Sequence, residues 1–351
     1  MRVVVTGASG NVGTSVLRAL GQDSSVESIL GLARRVPDRH FGKTSWASAD
    51  VASADLVPHF EGADAVIHLA WLIQPGRDET TTRDANVNGS ARVFAAAAQA
   101  GVTTLVHASS VGAYSPGPKD RAVDESWPTQ GIGSSFYSRH KAECERLLDR
   151  FETDNPGVRV VRLRPGLIFK RGAATGIRRL FAGPFLPNPL VRRSLIPIVP
   201  DVAGLRFQAV HSHDVGEAYR LAVTGNGAGA YNIAAEPVLD PEQLARTLGA
   251  RRVPVPARVL RAGAALSFHA HLQPSEPGWL DMALGVPIMG TARAREELGW
   301  TPSHTSEDAL LELIEGMGAG AGIDTPPLAP STSGPLRVRE LLTGLGRRSG
   351  V

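Results

Sequence analysis

The chain has 351 residues, 42% of them hydrophobic, enough to bury a substantial core and build two lobes. Its net charge of +3, carried mostly by scattered arginines, is too small to argue for a nucleic-acid partner. No apolar run approaches the ~20 residues that span a membrane, one cysteine (Cys144) excludes an internal disulfide, and the first strand begins at once, so a cytoplasmic protein with no leader and no membrane partner is expected.

Val3-Val4-Val5 reads as a buried parallel strand over 2–6. It runs into Thr6-Gly7-Ala8-Ser9-Gly10-Asn11-Val12-Gly13, after which Val16, Leu17 and Leu20 mark a helix face. Side chains in such a turn would block a pyrophosphate, which the free N–H groups and dipole of a helix N-terminus attract. Gly7, Ser9, Gly10, Asn11, Val12 and Gly13 are therefore candidate dinucleotide contacts. A second strand over 28–33 ends in Ala33-Arg34-Arg35. NAD-binding proteins place an acid there, ~20 residues beyond the glycine turn. This chain has Ala33 instead, and Arg34 with Arg35 offers a guanidinium fork for a 2′-phosphate, so NADP is expected to be preferred over NAD.

Further strands are expected over 45–49, 64–70, 103–109 and 158–164, separated by helices that include a long alanine-rich one near 80–100. The strand over 103–109 leads into Ser110, and a hydroxyl at the C-terminal end of a parallel strand faces the crevice where ligands bind. Ser110 is thus a candidate to hold a substrate oxygen. Next comes Tyr137-Ser138-Arg139-His140-Lys141. Positions i and i+4 share a helix face, so the Lys141 ammonium is expected beside the Tyr137 phenol, lowering its pKa into a range useful for proton transfer. With only four lysines and four tyrosines in the chain, chance alone gives such a pair in roughly one chain of twenty. Cys144, seven residues after Tyr137, reads as a small packing residue.

From Pro165 the alternation breaks. Residues 166–203 hold Pro184, Pro187, Pro189, Pro197 and Pro200 and read as loop with a short helix near 176–181. They are expected to gate the substrate pocket, with Arg178, Arg179, Arg192 and Arg193 suited to an anionic group. Phe207–His211 reads as a strand and Asp214–Val223 as a helix, a return to the sheet. Residues 235–317 carry helices and a short strand near 252–255, while Gly-Ala-Gly-Ala-Gly and Thr325-Pro326-Pro327 mark 318–351 as a flexible tail with a short helix over 336–345. The fold class is α/β: a Rossmann-type doubly wound parallel sheet over 1–165 and 204–234, with a smaller C-terminal α+β substrate lobe from 166–203 and 235–317. The pairs His211/His213 and His269/His271 lack zinc-motif spacing, so no metal is expected.

These motifs in this order resemble the extended short-chain dehydrogenase/reductases, the NAD-dependent epimerase/dehydratase family, over residues 1 to about 317. The likeness also rests on Ala49-Asp50-Val51, Val66-Ile67-His68-Leu69-Ala70, Asn86-Val87-Asn88-Gly89 and Ser109-Ser110 with Tyr114. It continues through Arg164-Pro165-Gly166, Gln208-Ala209-Val210-His211 with Asp214-Val215, and Leu298-Gly299-Trp300-Thr301-Pro302. It implies a Ser110/Tyr137/Lys141 catalytic group, with Tyr137 and Lys141 also touching the cofactor and Lys141 bonding the nicotinamide ribose. It further implies that Asp50 and Val51 hold the adenine, that Leu69 and Ala70 lie along the cofactor, and that Asn86 supports the active-site helix. His211 and Asp214 look structural in that pattern.

The expected reaction is hydride transfer at a secondary alcohol or ketone of a small-molecule substrate. Alternatives are a sugar-nucleotide epimerase working through a transient ketone and a non-catalytic NAD(P)-binding sensor, and a homodimer is a candidate assembly. Dehydratases of the family carry an Asp-Glu pair where Val111 and Gly112 stand, which disfavours that activity. Sugar-nucleotide epimerases follow the Arg-Pro turn with an Asn and a Tyr-Gly-Pro, from which Leu167-Ile168-Phe169-Lys170-Arg171 departs.

Overall fold

The computed structural model describes residues 1–74, 76–182 and 187–333. Seven parallel strands form its central sheet: β1 (Arg2–Thr6), β2 (Ser28–Ala33), β3 (Thr44–Ser48), β4 (Ala65–His68), β5 (Thr104–Ala108), β6 (Arg159–Pro165) and β7 (Gly229–Ile233). Their spatial order is 7-6-5-4-1-2-3, with every neighbouring pair parallel. Six of the seven lie within a residue or two of the strands expected from apolar runs. Such runs arise because a parallel sheet covered on both faces buries every position. Val3, Val4 and Val5 are fully buried, and burial of each such side chain contributes about 1.5–3 kcal/mol.

Helices cover both faces. On one, α1 (Asn11–Gln22) packs against the helix Ser212–Thr224, and Val16, Leu17 and Leu20 meet Ala218 and Ala222 in one core. A Cβ on Gly216 would lie 2.6 Å from the Ser15 carbonyl oxygen, so the helices can approach this closely only with glycine there. On the other face lie α2 (Gly89–Gln99) and α3 (Phe136–Asp154). The rod expected over 80–100 is helical throughout, but its middle, Asp84–Asn88, is a π turn. π turns recur at functional sites.

Two expectations are corrected. Phe207–His211 does not return to the sheet: Ala209–His211 pairs instead with Leu167–Phe169, and the returning strand is β7, which pairs with β6. Residues 318–333 are not a loose tail. Thr175 holds the Ala321 carbonyl through its backbone N–H (3.1 Å) and its hydroxyl (2.7 Å), Thr325 donates to the Ser9 carbonyl (2.9 Å), and Leu328 and Ala329 are buried. The helix expected over 336–345 lies outside the described residues. The short strand expected near 252–255 is Arg251–Pro254, paired with Ile198–Asp201, and the short helix near 176–181 is Ala174–Phe181. Among the described residues no helix is long and apolar enough to cross a membrane.

Candidate active site

Strand order reverses between β1 and β4, the switch point beyond whose strand ends open α/β sheets bind their ligands. The glycine-rich turn leaves β1 and Leu69-Ala70-Trp71 leaves β4. Gly7 has φ +67°, and a Cβ on it would lie 2.7 Å from the Ala70 nitrogen. A Cβ on Gly13 would lie 2.4 Å from the Ala8 carbonyl oxygen. Bare backbone is therefore required on both sides of the turn. The Asn11 side chain donates to the Ile168 carbonyl (3.1 Å), while its buried Oδ1 has no hydrogen-bond partner among the described residues.

Lys170 fixes this turn from below. Its Nζ donates to the Asn11 carbonyl (2.7 Å), Thr14 Oγ1 (2.7 Å) and Ser15 Oγ (2.9 Å), and burial lowers its pKa to about 7. The departure from the epimerase pattern after the Arg-Pro turn thus supplies a cation beneath the start of α1. Only its rarity in a lysine-poor chain could have signalled it.

At the crevice rim, Arg34 and Arg35 directly follow β2, both exposed. Asp50 accepts from the Ala52 N–H (3.1 Å), and Val51 packs in the core. Leu69 N–H donates to the Thr6 carbonyl (3.2 Å). Buried Asn86 clamps the next loop, accepting from the Leu72 N–H (2.7 Å) and donating to the Leu72 carbonyl (2.8 Å), while its own carbonyl accepts from Cys144 of α3 (3.5 Å). Asn86 therefore joins the Trp71 loop to the helix that carries Tyr137 and Lys141.

Ser110, Tyr137 and Lys141 come together. Burial pushes the Tyr137 phenol up to about 12, and a hydrogen bond with Ser110 pulls the other way. Ser110 Oγ also accepts from the Gly112 N–H (3.0 Å). Lys141 is buried, which lowers its pKa to about 7 against the opposing pull of Cys144 and Glu145. The expectation that Lys141 lowers the phenol pKa is not met. Its Nζ lies 5.8 Å from the centre of the Tyr137 ring, donates to the Ala108 carbonyl (2.6 Å), and sits 3.3 Å from the centre of the Trp71 ring. Burial of the phenol outweighs the nearby charge.

Sequence reasoning missed the groups that hold this arrangement. Glu145, one further turn along α3, binds Arg164 in a bidentate pair (2.8 and 3.0 Å), contacts Arg162 (3.1 Å) and accepts from Ser109 (2.5 Å). Burial raises its pKa, but the Arg164 and Arg162 guanidinia prevail and hold it at about 2. Ser109 is thus structural, as is Tyr114, whose hydroxyl donates to Asn232 (2.6 Å) and accepts from Arg164 (3.0 Å). The signal was the i, i+4, i+8 series Tyr137, Lys141, Glu145. Also missed were Trp71 and Trp279, whose ring centres lie 5.7 and 4.8 Å from that of Tyr137.

The arginines expected over the pocket divide. Arg178 is buried, Arg179 donates to the Pro327 carbonyl (2.6 Å), and Arg192 and Arg193 are exposed. His211, Asp214 and His304 gather with ligand atoms within 4.8 Å, a cluster the residue spacing did not reveal. His304 Nδ1 is paired with Asp214 (3.0 Å) and His211 Nε2 with Glu312 (3.2 Å), and Asp214 also accepts from the His304 N–H, so the cluster ties the turn after Trp300 to the helix Ser212–Thr224.

A doubly wound sheet with a glycine-rich turn at its switch point, and Ser110, Tyr137 and Lys141 brought together beyond β5, is the architecture of a dinucleotide-binding α/β fold. The chain belongs to the NAD dependent epimerase/dehydratase family, whose model matches residues 3–234. An uncharacterized protein of Mycobacterium tuberculosis is 29% identical over 317 residues, covering 88% of this chain, which spans only 29% of that relative's length. A 4-hydroxy-2-methyl-3-oxo-4-farnesyl-3,4-dihydroquinoline-1-oxide ketoreductase of Stigmatella aurantiaca is 29% identical over 182 residues, 48% of this chain and 51% of that one. The solved UDP-glucose 4-epimerase of Thermotoga maritima, bound to UDP-glucose, shares the fold at TM-score 0.67 and 18% identity, covering 90% of this chain and 98% of its own.

Proposed function

We propose that the protein reduces the carbonyl group of a small molecule, with Tyr137 as proton donor, Ser110 as the second hydrogen bond to the substrate oxygen, and NADPH as preferred reductant. The observation that carries this reading is the gathering of the three side chains: Ser110 Oγ accepts from the Gly112 N–H (3.0 Å), a Cβ on Gly112 would lie 2.9 Å from the Tyr137 ring, and Lys141 Nζ lies 5.8 Å from that ring's centre, one helical turn further along α3. The glycine cradle at Gly7 and Gly13 and the Asn11 Oδ1, which has no partner among the described residues, fit a dinucleotide, with Asp50 and Val51 at its adenine end and Leu69, Ala70 and Asn86 along its length. When bound in reduced form, the cofactor supplies the hydride that forms the new C–H bond at the carbonyl carbon.

The chain's own part is proton management. A phenol pushed up to about 12 stays protonated at neutral pH, which suits it to give a proton to the carbonyl oxygen as the C=O π bond breaks. Ser110 orients that oxygen, and the Lys141 ammonium offers donors to ribose hydroxyls. Arg34 and Arg35 supply the charge for a 2′-phosphate. The ketoreductase relative supports net reduction rather than epimerisation. Incubation of the enzyme with NADPH deuterated at C4 and a ketone tests this: deuterium should appear on the carbinol carbon, with one NADPH consumed per alcohol formed. Substrate isomerisation without net NADPH loss would establish the epimerase instead.

A further inference from the structure

Lys170 is 4% exposed, and among the described residues its ammonium meets only neutral acceptors: the Asn11 carbonyl, Thr14 Oγ1 and Ser15 Oγ. Buried cations are ordinarily paired with an anion, because burial strips their hydration. This one lies against the start of α1, the end of a helix that is already positive.

The surrounding elements do not supply the missing charge. On α1, the charge that bears on Lys170 is another cation, Arg18. On the helix Ser212–Thr224, His213 meets Arg18 (2.8 Å), and burial pushes its pKa down to about 4, so it brings no negative charge. Glu312 accepts from the neighbouring Arg171 N–H (3.2 Å) but is paired with His211 (3.2 Å).

Nor do the three acceptors depend on a lysine. The Asn11 carbonyl also accepts from Ser212 Oγ (3.2 Å), Ser15 Oγ bonds Ser212 Oγ (2.9 Å), and Thr14 Oγ1 donates to the Gly10 carbonyl (3.0 Å). With one proton per hydroxyl, Ser15 can donate to Ser212, Ser212 to Asn11 and Thr14 to Gly10. Every one of these groups then keeps a partner without Lys170, so hydrogen bonding alone does not account for a buried ammonium here.

We propose that the Lys170 ammonium is a built-in counter-charge for the diphosphate of the bound dinucleotide, a positioning residue that acts through the start of α1. The inference rests on the dinucleotide reading above and adds the source of the positive field at the glycine turn. Free N–H groups and the helix dipole already favour an anion there, the dipole being worth roughly half an elementary charge. A buried ammonium adds a whole one, in surroundings that screen it weakly. The same cation therefore destabilises the ligand-free fold and stabilises the complex.

That crossing of signs is the test. The probes are ADP-ribose, which carries the diphosphate without nicotinamide or 2′-phosphate, and adenosine, which carries no phosphate. Their dissociation constants are measured by calorimetry at pH 6 with the purified full chain, its Lys170→Met variant and its Lys170→Gln variant, alongside Tm without ligand. Lys170→Met removes the charge and the donors, whereas Lys170→Gln keeps two N–H donors and removes only the charge. The folded pKa of about 7 lies below the ordinary 10.5, so at pH 6 the ammonium is charged and its penalty on the ligand-free fold is fully present. Both variants should bind ADP-ribose about tenfold more weakly and adenosine within about twofold of wild type. Ligand-free Tm of Lys170→Met should be no lower than that of wild type. A lower Tm, or a variant that does not fold, would make Lys170 part of the turn's framework and overturn the proposal. So would ADP-ribose affinity retained in Lys170→Gln, or equal losses for the two probes. Wild type that binds ADP-ribose with variants that match it would overturn this role alone, whereas wild type that does not bind ADP-ribose would retire the dinucleotide reading with it.

Discussion

The ammonium of Lys141 lies 3.3 Å from the centre of the Trp71 ring and donates to the Ala108 carbonyl at 2.6 Å. One side chain thus shields the buried cation on which cofactor binding is proposed to depend. Burial lowers the Lys141 pKa to about 7, so the ammonium is lost as pH rises through that value. The kcat/KM for NADPH, which reports the free enzyme, should therefore fall about tenfold per pH unit above about 7. Trp71→Ala admits water to the ammonium and should move the break to higher pH. A wild-type profile flat to about pH 9 would contradict this assignment.

The same buried lysine should destabilise the fold. Its folded pKa of about 7 lies below the ordinary 10.5, so between these values the unfolded chain binds more protons and wild-type stability should rise with pH. The penalty is fully present below about 7. Lys141→Met should accordingly raise Tm by several degrees at pH 6 and by less at pH 9. Calorimetry of both proteins at the two pH values checks it, and a variant less stable than wild type at pH 6 would contradict it.

Glu145 is the anion between two buried guanidinia. Glu145→Gln keeps the shape but leaves Arg162 and Arg164 without that charge, and the expected loss is about 3–5 kcal/mol in urea unfolding, the scale for breaking a buried pair. A loss under about 1 kcal/mol would mean that Asp149 and Glu152, which also meet Arg162, carry the network.

Cofactor choice is proposed to lie with the residues after β2. Arg34→Ala should weaken NADPH binding tenfold or more, the scale of a ~1.5–3 kcal/mol hydrogen bond to a charged group, and leave NADH binding nearly unchanged. Equal losses for the two cofactors, or a wild-type preference for NADH, would remove the 2′-phosphate from the account.

Much of the scaffold was legible because its signals are local. Val-rich runs such as Val3-Val4-Val5 read as strands, and the glycine turn could be recognised from its spacing alone. β7 was missed because Gly229-Ala230-Tyr231-Asn232-Ile233 is short and partly polar, and it earns its place only by pairing with β6. The i, i+4 rule brought Tyr137 and Lys141 onto one helix, yet not their electrostatics. Those depend on Trp71 and Trp279, which arrive from distant segments. Thr325 donating to Ser9, 316 residues away, has no local signature at all.

The central claim is that the Tyr137 hydroxyl gives the proton in carbonyl reduction. Tyr137→Phe removes that oxygen and little else, and the measurement is single-turnover NADPH oxidation with a ketone that wild type reduces, alongside the NADPH dissociation constant. The account predicts a rate lower by about 10²–10⁴-fold with cofactor affinity nearly unchanged. A Phe variant that turns over at the wild-type rate would show that the proton comes from elsewhere.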